Sequence, residues 1–185
     1  AAAARSLAST QRDYGAEPSG GPANDGAPAS AAYETPRAAA EYLHFHFGPP
    51  SALVRAACPS AAPELESGLA RVVGRCCSLV PGSGCSLRAL DVGCAVGGAS
   101  FRLAEHFDAV VGVDASQSFV DVANELCRSG QASYEWPAEG ASPERLQARV
   151  ESAEVRSRCR FVREDAEAFL RRGERFHLVL ACNLL

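Results

Sequence analysis

The apolar positions of this chain recur in two periods. Ala39, Leu43 and Phe47, with Tyr42 and Phe45 beside them, follow Thr35-Pro36 at helical spacing. They predict a helix from about Pro36 to Phe47, with Thr35 as N-cap and Pro36 in its first turn, stopped by Gly48-Pro49-Pro50. Leu65, Leu69, Val72, Val73 and Cys76 predict a second helix over about Pro63 to Leu79, followed by a loop at Pro81-Gly82-Ser83-Gly84. Four short apolar runs then read as buried strands: Leu87 to Val92, Ala109 to Val113, Arg160 to Arg163, and Phe176 to Cys182. Helices are expected between them, from Gly98 to about Phe107, from a Ser116 cap to about Arg128, and after Asp165. Ser129 to Pro143 reads as a loop, and Ser142 or Pro143 as the start of a polar helix to about Ser152. This alternation predicts an α/β fold on a parallel sheet, preceded by N-terminal helices. Residues 1–32 are dominated by Ala, Gly, Pro and Ser and lack the apolar mass to fold, so a disordered tail or linker is expected before one domain over 33–185.

The chemistry concentrates where strands end. Ala89-Leu90-Asp91-Val92-Gly93-Cys94-Ala95-Val96-Gly97-Gly98 reads as a strand entering a glycine-rich turn and then a helix. Val110-Val111-Gly112-Val113-Asp114 reads as the next strand, ending on a carboxylate 23 positions after Asp91. A parallel sheet uses this arrangement to bind a nucleoside-containing cofactor. Gly93 suits a turn that a side chain would penalise. Gly97 and Gly98 leave room for a ligand and for the helix to pack, and Asp114 is placed to accept hydrogen bonds from ribose hydroxyls. A dinucleotide fingerprint needs Gly-x-Gly-x-x-Gly; counted from Gly93, its middle glycine is Ala95, which argues against a nicotinamide-dependent oxidoreductase.

The acid two positions before Gly93 resembles instead the first motif of S-adenosylmethionine (SAM) methyltransferases, Asp/Glu-x-Gly-x-Gly-x-Gly. Asp91, Gly93 and Gly97 fit it and Ala95 departs from it. The resemblance implies a Rossmann-like class I sheet with SAM along Asp91, Gly93, Cys94, Ala95 and Gly97, and then along Asp114, Ala115 and Ser116. Asp91 would anchor the methionine amino group. Asp165 and Ala166, at the end of the third strand, would meet the adenine; Asp165 also reads as a helix N-cap. Asn183, past the fourth strand, would face the sulfonium. The sequence breaks off there at Leu184-Leu185, so the expected sheet is the cofactor-binding part of such a domain, truncated after its fourth strand.

Composition narrows the picture in a few places. Hydrophobic residues at 47% and charged residues at 22% fit a soluble globular domain, and the net charge of −4 gives no reason to expect a nucleic-acid partner. All 18 basic residues are Arg, with neither Lys nor Met present, which reads as GC-rich coding; without Met, Ala1 is expected to follow processing or to open a fragment. No apolar run approaches the roughly 20 residues that span a bilayer. The eight cysteines form no Cys-x-x-Cys and no zinc-finger spacing, and several sit in apolar runs, which favours a reducing, cytoplasmic setting and no metal. Residues 1–12, with Arg and Ser and no acid, faintly resemble a transit peptide, so organellar import stays open beside a linker. His44 and His46 are two apart and so point to different sides of a helix; one of them lines a substrate pocket or simply packs. Trp136, beside Tyr134, Glu135 and Glu139, covers a ligand or plugs the core.

Three blocks carry a narrower resemblance. They are Tyr33-Glu34-Thr35 with Glu41-Tyr42-Leu43-His44-Phe45-His46-Phe47-Gly48, the loop Asp91-Val92-Gly93-Cys94-Ala95-Val96-Gly97, and Ala181-Cys182-Asn183-Leu184-Leu185. Tyr134 and Glu139-Gly140 fit as well. Over about residues 33–185 the chain resembles the 4-mercaptohistidine N1-methyltransferase family of ovothiol biosynthesis, in which Ala95 is the expected residue. The resemblance implies methyl transfer from SAM to an imidazole nitrogen of a thiol-bearing histidine. It names Tyr33, Tyr42, His46 and Asn183 as substrate candidates and assigns no catalytic base. Family members occur alone or fused behind a 5-histidylcysteine sulfoxide synthase domain. Two alternatives stay open: a SAM-dependent methyltransferase of another small molecule, and a non-catalytic SAM-binding domain.

Overall fold

The computed structural model describes residues 32–48, 68–80, 86–137 and 142–182. The expected tail, Pro63 at the start of the second helix, the loop at Pro81, Glu139-Gly140, Cys58, Cys85 and Asn183-Leu184-Leu185 lie outside the described residues.

Helix α1 is Pro36–Phe47, with Thr35 Oγ1 accepting the Ala38 N–H at 3.1 Å and Gly48 closing its last turn on the His44 carbonyl. Helix α2 is Gly68–Cys77. The main sheet contains β1 (Arg88–Val92), β2 (Ala109–Asp114), β5 (Cys159–Arg163) and β6 (Leu178–Ala181). All its pairings are parallel, in the order β5-β2-β1-β6. Between the strands run α3 (Gly98–Leu103), α4 (Gln117–Ser129), α5 (Ala153–Ser157) and α6 (Ala166–Leu170). Ser116 caps α4 through the Phe119 N–H, as expected, and Gly130 ends that helix at φ +79°.

The central strands β1 and β2 are buried on both faces, which is why they read as largely apolar runs, broken in β1 by the buried Asp91. Their side chains still alternate. Ala89 and Val110 pack with Leu69, Val73, Leu103 and Phe107 of the α2–α3 layer, whereas Leu90 and Val111 pack against Phe169 of α6. From β1 the sheet grows outward through β2 to β5. The chain then crosses back, and β6 pairs with the other side of β1. That reversal opens a crevice at the carboxyl ends of the strands, where open α/β sheets bind ligands.

One expectation is overturned. The segment expected to be a polar helix over 142–152 is strand β4 (Glu144–Arg149), antiparallel to β3 (Gln131–Trp136) in the supposed loop. Ala132, Tyr134 and Trp136 face the same side as Leu146 and Ala148, with polar residues between them. That is a period of two, which the helix-favouring Glu, Arg and Gln side chains mask. The hairpin packs on α1. The Trp136 ring stacks on His44 at 3.7 Å and 6°, and the Tyr134 hydroxyl lies 3.3 Å from His44 Nδ1. Trp136 is thus the plug of the two roles open to it. Helix α5, capped by Ser152, was not expected.

Phe161 of β5 fills the space left by two glycines. A Cβ on Gly112 would lie 2.6 Å from its ring and 2.9 Å from Ser100 Oγ. Gly112→Ala is expected to destabilise the domain by about 1–3 kcal/mol through overpacking. The penalty should be sub-additive with Phe161→Leu, which frees the same volume. Urea-denaturation midpoints of both single variants and the double variant check this; simple additivity would show that the ring is not the obstacle.

Candidate functional site

The turn after β1 is shaped by three residues in the left-handed region: Gly93 at φ +69°, Ala95 at +46° and Gly97 at +86°. Among the described residues Ala95 is the one non-glycine there, a conformation that costs an L-residue roughly 1–2 kcal/mol. What holds it is a hydrogen bond: the Ala95 N–H donates to Asp114 Oδ2 at 2.8 Å. The other oxygen, Oδ1, accepts the Ser116 N–H at 2.9 Å. The N–H groups of Gly93 and Cys94 both donate to the Val113 carbonyl, at 2.8 and 3.1 Å. The loop is therefore tied to the end of β2 at three points.

This turn borders a cavity of about 560 Å³ over the carboxyl ends of β1, β2, β5 and β6. Asp91 enters its floor, 2% exposed, and accepts the Ser100 hydroxyl at 2.6 Å. Burial, with the Asp114 charge nearby, raises its carboxyl to about 7 even though the Ser100 hydrogen bond opposes the shift. Asp165 and Ala166 line the far side, Asp165 also accepting the Ala168 N–H as cap of α6. Glu164 lines it too and pairs with Arg172. Cys94 lines the cavity as a buried thiol, and burial pushes its pKa well up.

The opposite wall comes from the N-terminal segment. Tyr33, Tyr42, Phe45 and His46 face the cavity with Phe119 of α4. Tyr42 packs between Tyr33 and Phe119, its centroid 6.2 and 4.7 Å from theirs. The segment is latched to α4: the Tyr33 carbonyl accepts the Ser116 hydroxyl, and the Glu34 carboxylate accepts the Gln117 and Ser118 N–H groups at 2.8 and 3.0 Å. Those backbone donors hold the Glu34 carboxyl below its usual range. At the other end of α1, His46 Nδ1 accepts the Gly98 N–H at 3.1 Å.

The family model described as "Methyltransferase domain" matches residues 90–185. The chain belongs to this methyltransferase family. No curated protein sequence matches it. Among solved structures it is similar to magnesium protoporphyrin IX methyltransferase from Synechocystis PCC 6803 with bound SAM. That likeness has a TM-score of 0.52 at 15% identity over 88% of this chain and 65% of the other. It is also similar to a SAM-dependent methyltransferase from Agrobacterium tumefaciens (TM-score 0.44, 20% identity, 63% of this chain and 32% of the other). The chain thus spans less than two thirds of either structure. The first likeness shows the Rossmann-like fold expected from the sequence.

In this methyltransferase domain the sequence-derived site largely comes together. Asp91, Gly93, Cys94, Ala95, Asp114, Ala115, Ser116, Asp165 and Ala166 line one cavity, and so do Tyr33, Tyr42 and His46. Asn183 lies outside the described residues. Gly97 is not among the residues lining the cavity; a Cβ there would meet the Phe161 ring, 2.7 Å away. At Gly98 a Cβ would meet His46, 2.5 Å away. Asp114 also differs from expectation in that both oxygens already hold backbone N–H groups, although each keeps a lone pair for a further donor. Val72, Phe119, Glu164 and Cys182 line the cavity unforeseen. Glu164 and Cys182 each adjoin a residue that had been singled out, whereas Val72 carried only helical periodicity.

Ala95→Gly should leave the domain within about 1 kcal/mol of its original stability, because relieved strain offsets the entropy that glycine adds to the unfolded chain. Ala95→Val, β-branched at positive φ, should cost more than about 2 kcal/mol. Thermal unfolding of both variants tests this. A large loss for the glycine variant would mean that Ala95 is not strained.

Proposed function

We propose that the chain binds SAM in this cavity and transfers the methyl group to an imidazole nitrogen of a thiol-bearing histidine, 4-mercaptohistidine. The observation that carries the cofactor is the charge of the cavity. Among the described residues lining it, Asp91, Asp114, Glu164 and Asp165 are carboxylates, Glu164 paired with Arg172, and no lining residue is an Arg. Such a wall repels a pyrophosphate and suits a cationic, ribose-bearing ligand. The volume of about 560 Å³ lies within the ~300–1,000 Å³ range of small-molecule sites. Asp91, buried with one hydroxyl partner, fits an ammonium group, and the free lone pairs of Asp114 fit ribose hydroxyls.

When bound, SAM supplies an electrophilic methyl group on a positively charged sulfur. The protein's share is to bind, align and exclude water. A neutral nitrogen lone pair needs no base to attack carbon, so orientation accounts for much of the rate. The acceptor reading rests on the block from Tyr33 to Gly48, which carries the narrower resemblance and supplies Tyr33, Tyr42, Phe45 and His46 to the cavity wall. An upstream sulfoxide synthase domain, as found in fused members of that family, belongs to the same proposal.

Calorimetric titration with SAM and with S-adenosylhomocysteine tests the cofactor. Asp114→Ala is expected to weaken both at least tenfold, since it removes the ribose acceptor and releases the turn. The pH dependence follows from Asp91. A bound ammonium lowers the carboxyl from its free value of about 7, so the complex holds fewer protons than the free protein. Affinity for S-adenosylhomocysteine should therefore fall as pH drops below 7, approaching tenfold per unit, and Asp91→Asn should flatten the profile. No heat from a folded sample, or a preference for NAD, would overturn the cofactor. Binding without turnover of 4-mercaptohistidine would overturn the acceptor.

A further inference from the structure

Resting on that reading, we infer that His46 is a specificity-determining residue: its Nδ1 holds the first turn of α3, and its Nε2–H is a fixed hydrogen-bond donor to the methyl acceptor. The acceptor must then offer an anion or a lone pair at that point, as a thiolate or carboxylate does, and not an N–H.

The geometry begins at Gly98. A Cβ there would lie 2.5 Å from His46 Nδ1 and 2.7 Å from its Cβ, so the imidazole seats where a side chain is missing. The Gly98 N–H points to Nδ1 at 3.1 Å. A backbone N–H only donates, so Nδ1 carries the lone pair and the proton of the neutral ring sits on Nε2. The remaining nitrogen belongs to a ring that lines the cavity. Its ring neighbours are Tyr42, Phe45 and Phe47, at 6.0, 5.5 and 6.3 Å. Tyr42 is the titratable one, and burial raises its pKa. The charged groups of the shared cavity are Asp91 and Asp114 at the strand ends, with Glu164 and Asp165 beyond. Burial lowers His46 to about 4, so the ring is neutral across the physiological range. One nitrogen is engaged and the other already protonated, so His46 has no site from which to act as a base.

Long-range proton–nitrogen NMR on the unsubstituted chain, labelled at histidine, reads the tautomer directly, with the resonance assigned by its loss in His46→Asn. The expected signature is Nε2–H with a lone pair on Nδ1, unchanged from pH 5.5 to 8. Protonation at Nδ1, or a titration midpoint near 6.5, overturns the inference. Two variants separate the two contacts. Asn places an acceptor near the position of Nδ1, and Gln places an N–H near that of Nε2. His46→Asn should keep S-adenosylhomocysteine affinity within about threefold and lower 4-mercaptohistidine affinity, measured with S-adenosylhomocysteine present, at least tenfold. His46→Gln should show the larger loss for S-adenosylhomocysteine. Equal behaviour of the two variants overturns the inference. An unsubstituted chain with the Nε2–H tautomer that binds no S-adenosylhomocysteine overturns the proposed function instead.

Discussion

The site depends on one carboxylate. Asp114 closes β2 and accepts N–H groups from both sides, one from the turn after β1 and one from the start of α4. Magnitudes show why this matters. A hydrogen bond to a charged acceptor contributes roughly 1.5–3 kcal/mol, whereas the left-handed Ala95 costs roughly 1–2 kcal/mol. The bond is large enough to offset the strain, so the turn keeps its shape without a third glycine. The position of α4 follows, because Ser116 is both its cap and the second donor to Asp114. The N-terminal segment then latches onto that same helix end through Tyr33 and Glu34.

The cavity that results is electrostatically unfinished. Asp91 lies in a buried floor near Asp114, with a serine hydroxyl as its hydrogen-bond partner. Water would solvate such a carboxylate better than this environment does, and protonation is the free protein's answer near neutral pH. A ligand that brings its own positive charge replaces the missing solvation. Recognition of such a ligand would draw on the burial of Asp91 as much as on new contacts.

The legible parts of the chain were those whose physics is local. The Thr35 and Ser116 caps, the strand–turn–helix around Gly93, the acids at strand ends and the helix cap at Asp165 each depend on residues a few positions apart, and each appears in the structure. The hairpin did not read as one. It has only Ala132, Tyr134, Trp136, Leu146 and Ala148 to turn inward, and its partner is α1, almost a hundred positions away. A half-exposed pair of strands takes its identity from what it packs against. The same limit explains Gly97 and Gly98. Sequence marks a place where a side chain is forbidden, but the neighbour that forbids it, Phe161 or His46, is known only from the fold.

The β3–β4 hairpin has one more consequence. Among the described residues its strands pair only with each other, and it meets α1 at the stack of Trp136 on His44. Two positions along the same helix, His46 looks into the cavity. The cavity wall carrying Tyr42, Phe45 and His46 is thus mounted on a helix outside the four parallel strands that carry the carboxylates. Changes in the hairpin would reach that wall through His44 and α1, and from there the Gly98 N–H that His46 holds. The two walls of the cavity thus rest on different supports, one on the parallel strands and one on a helix that carries the hairpin.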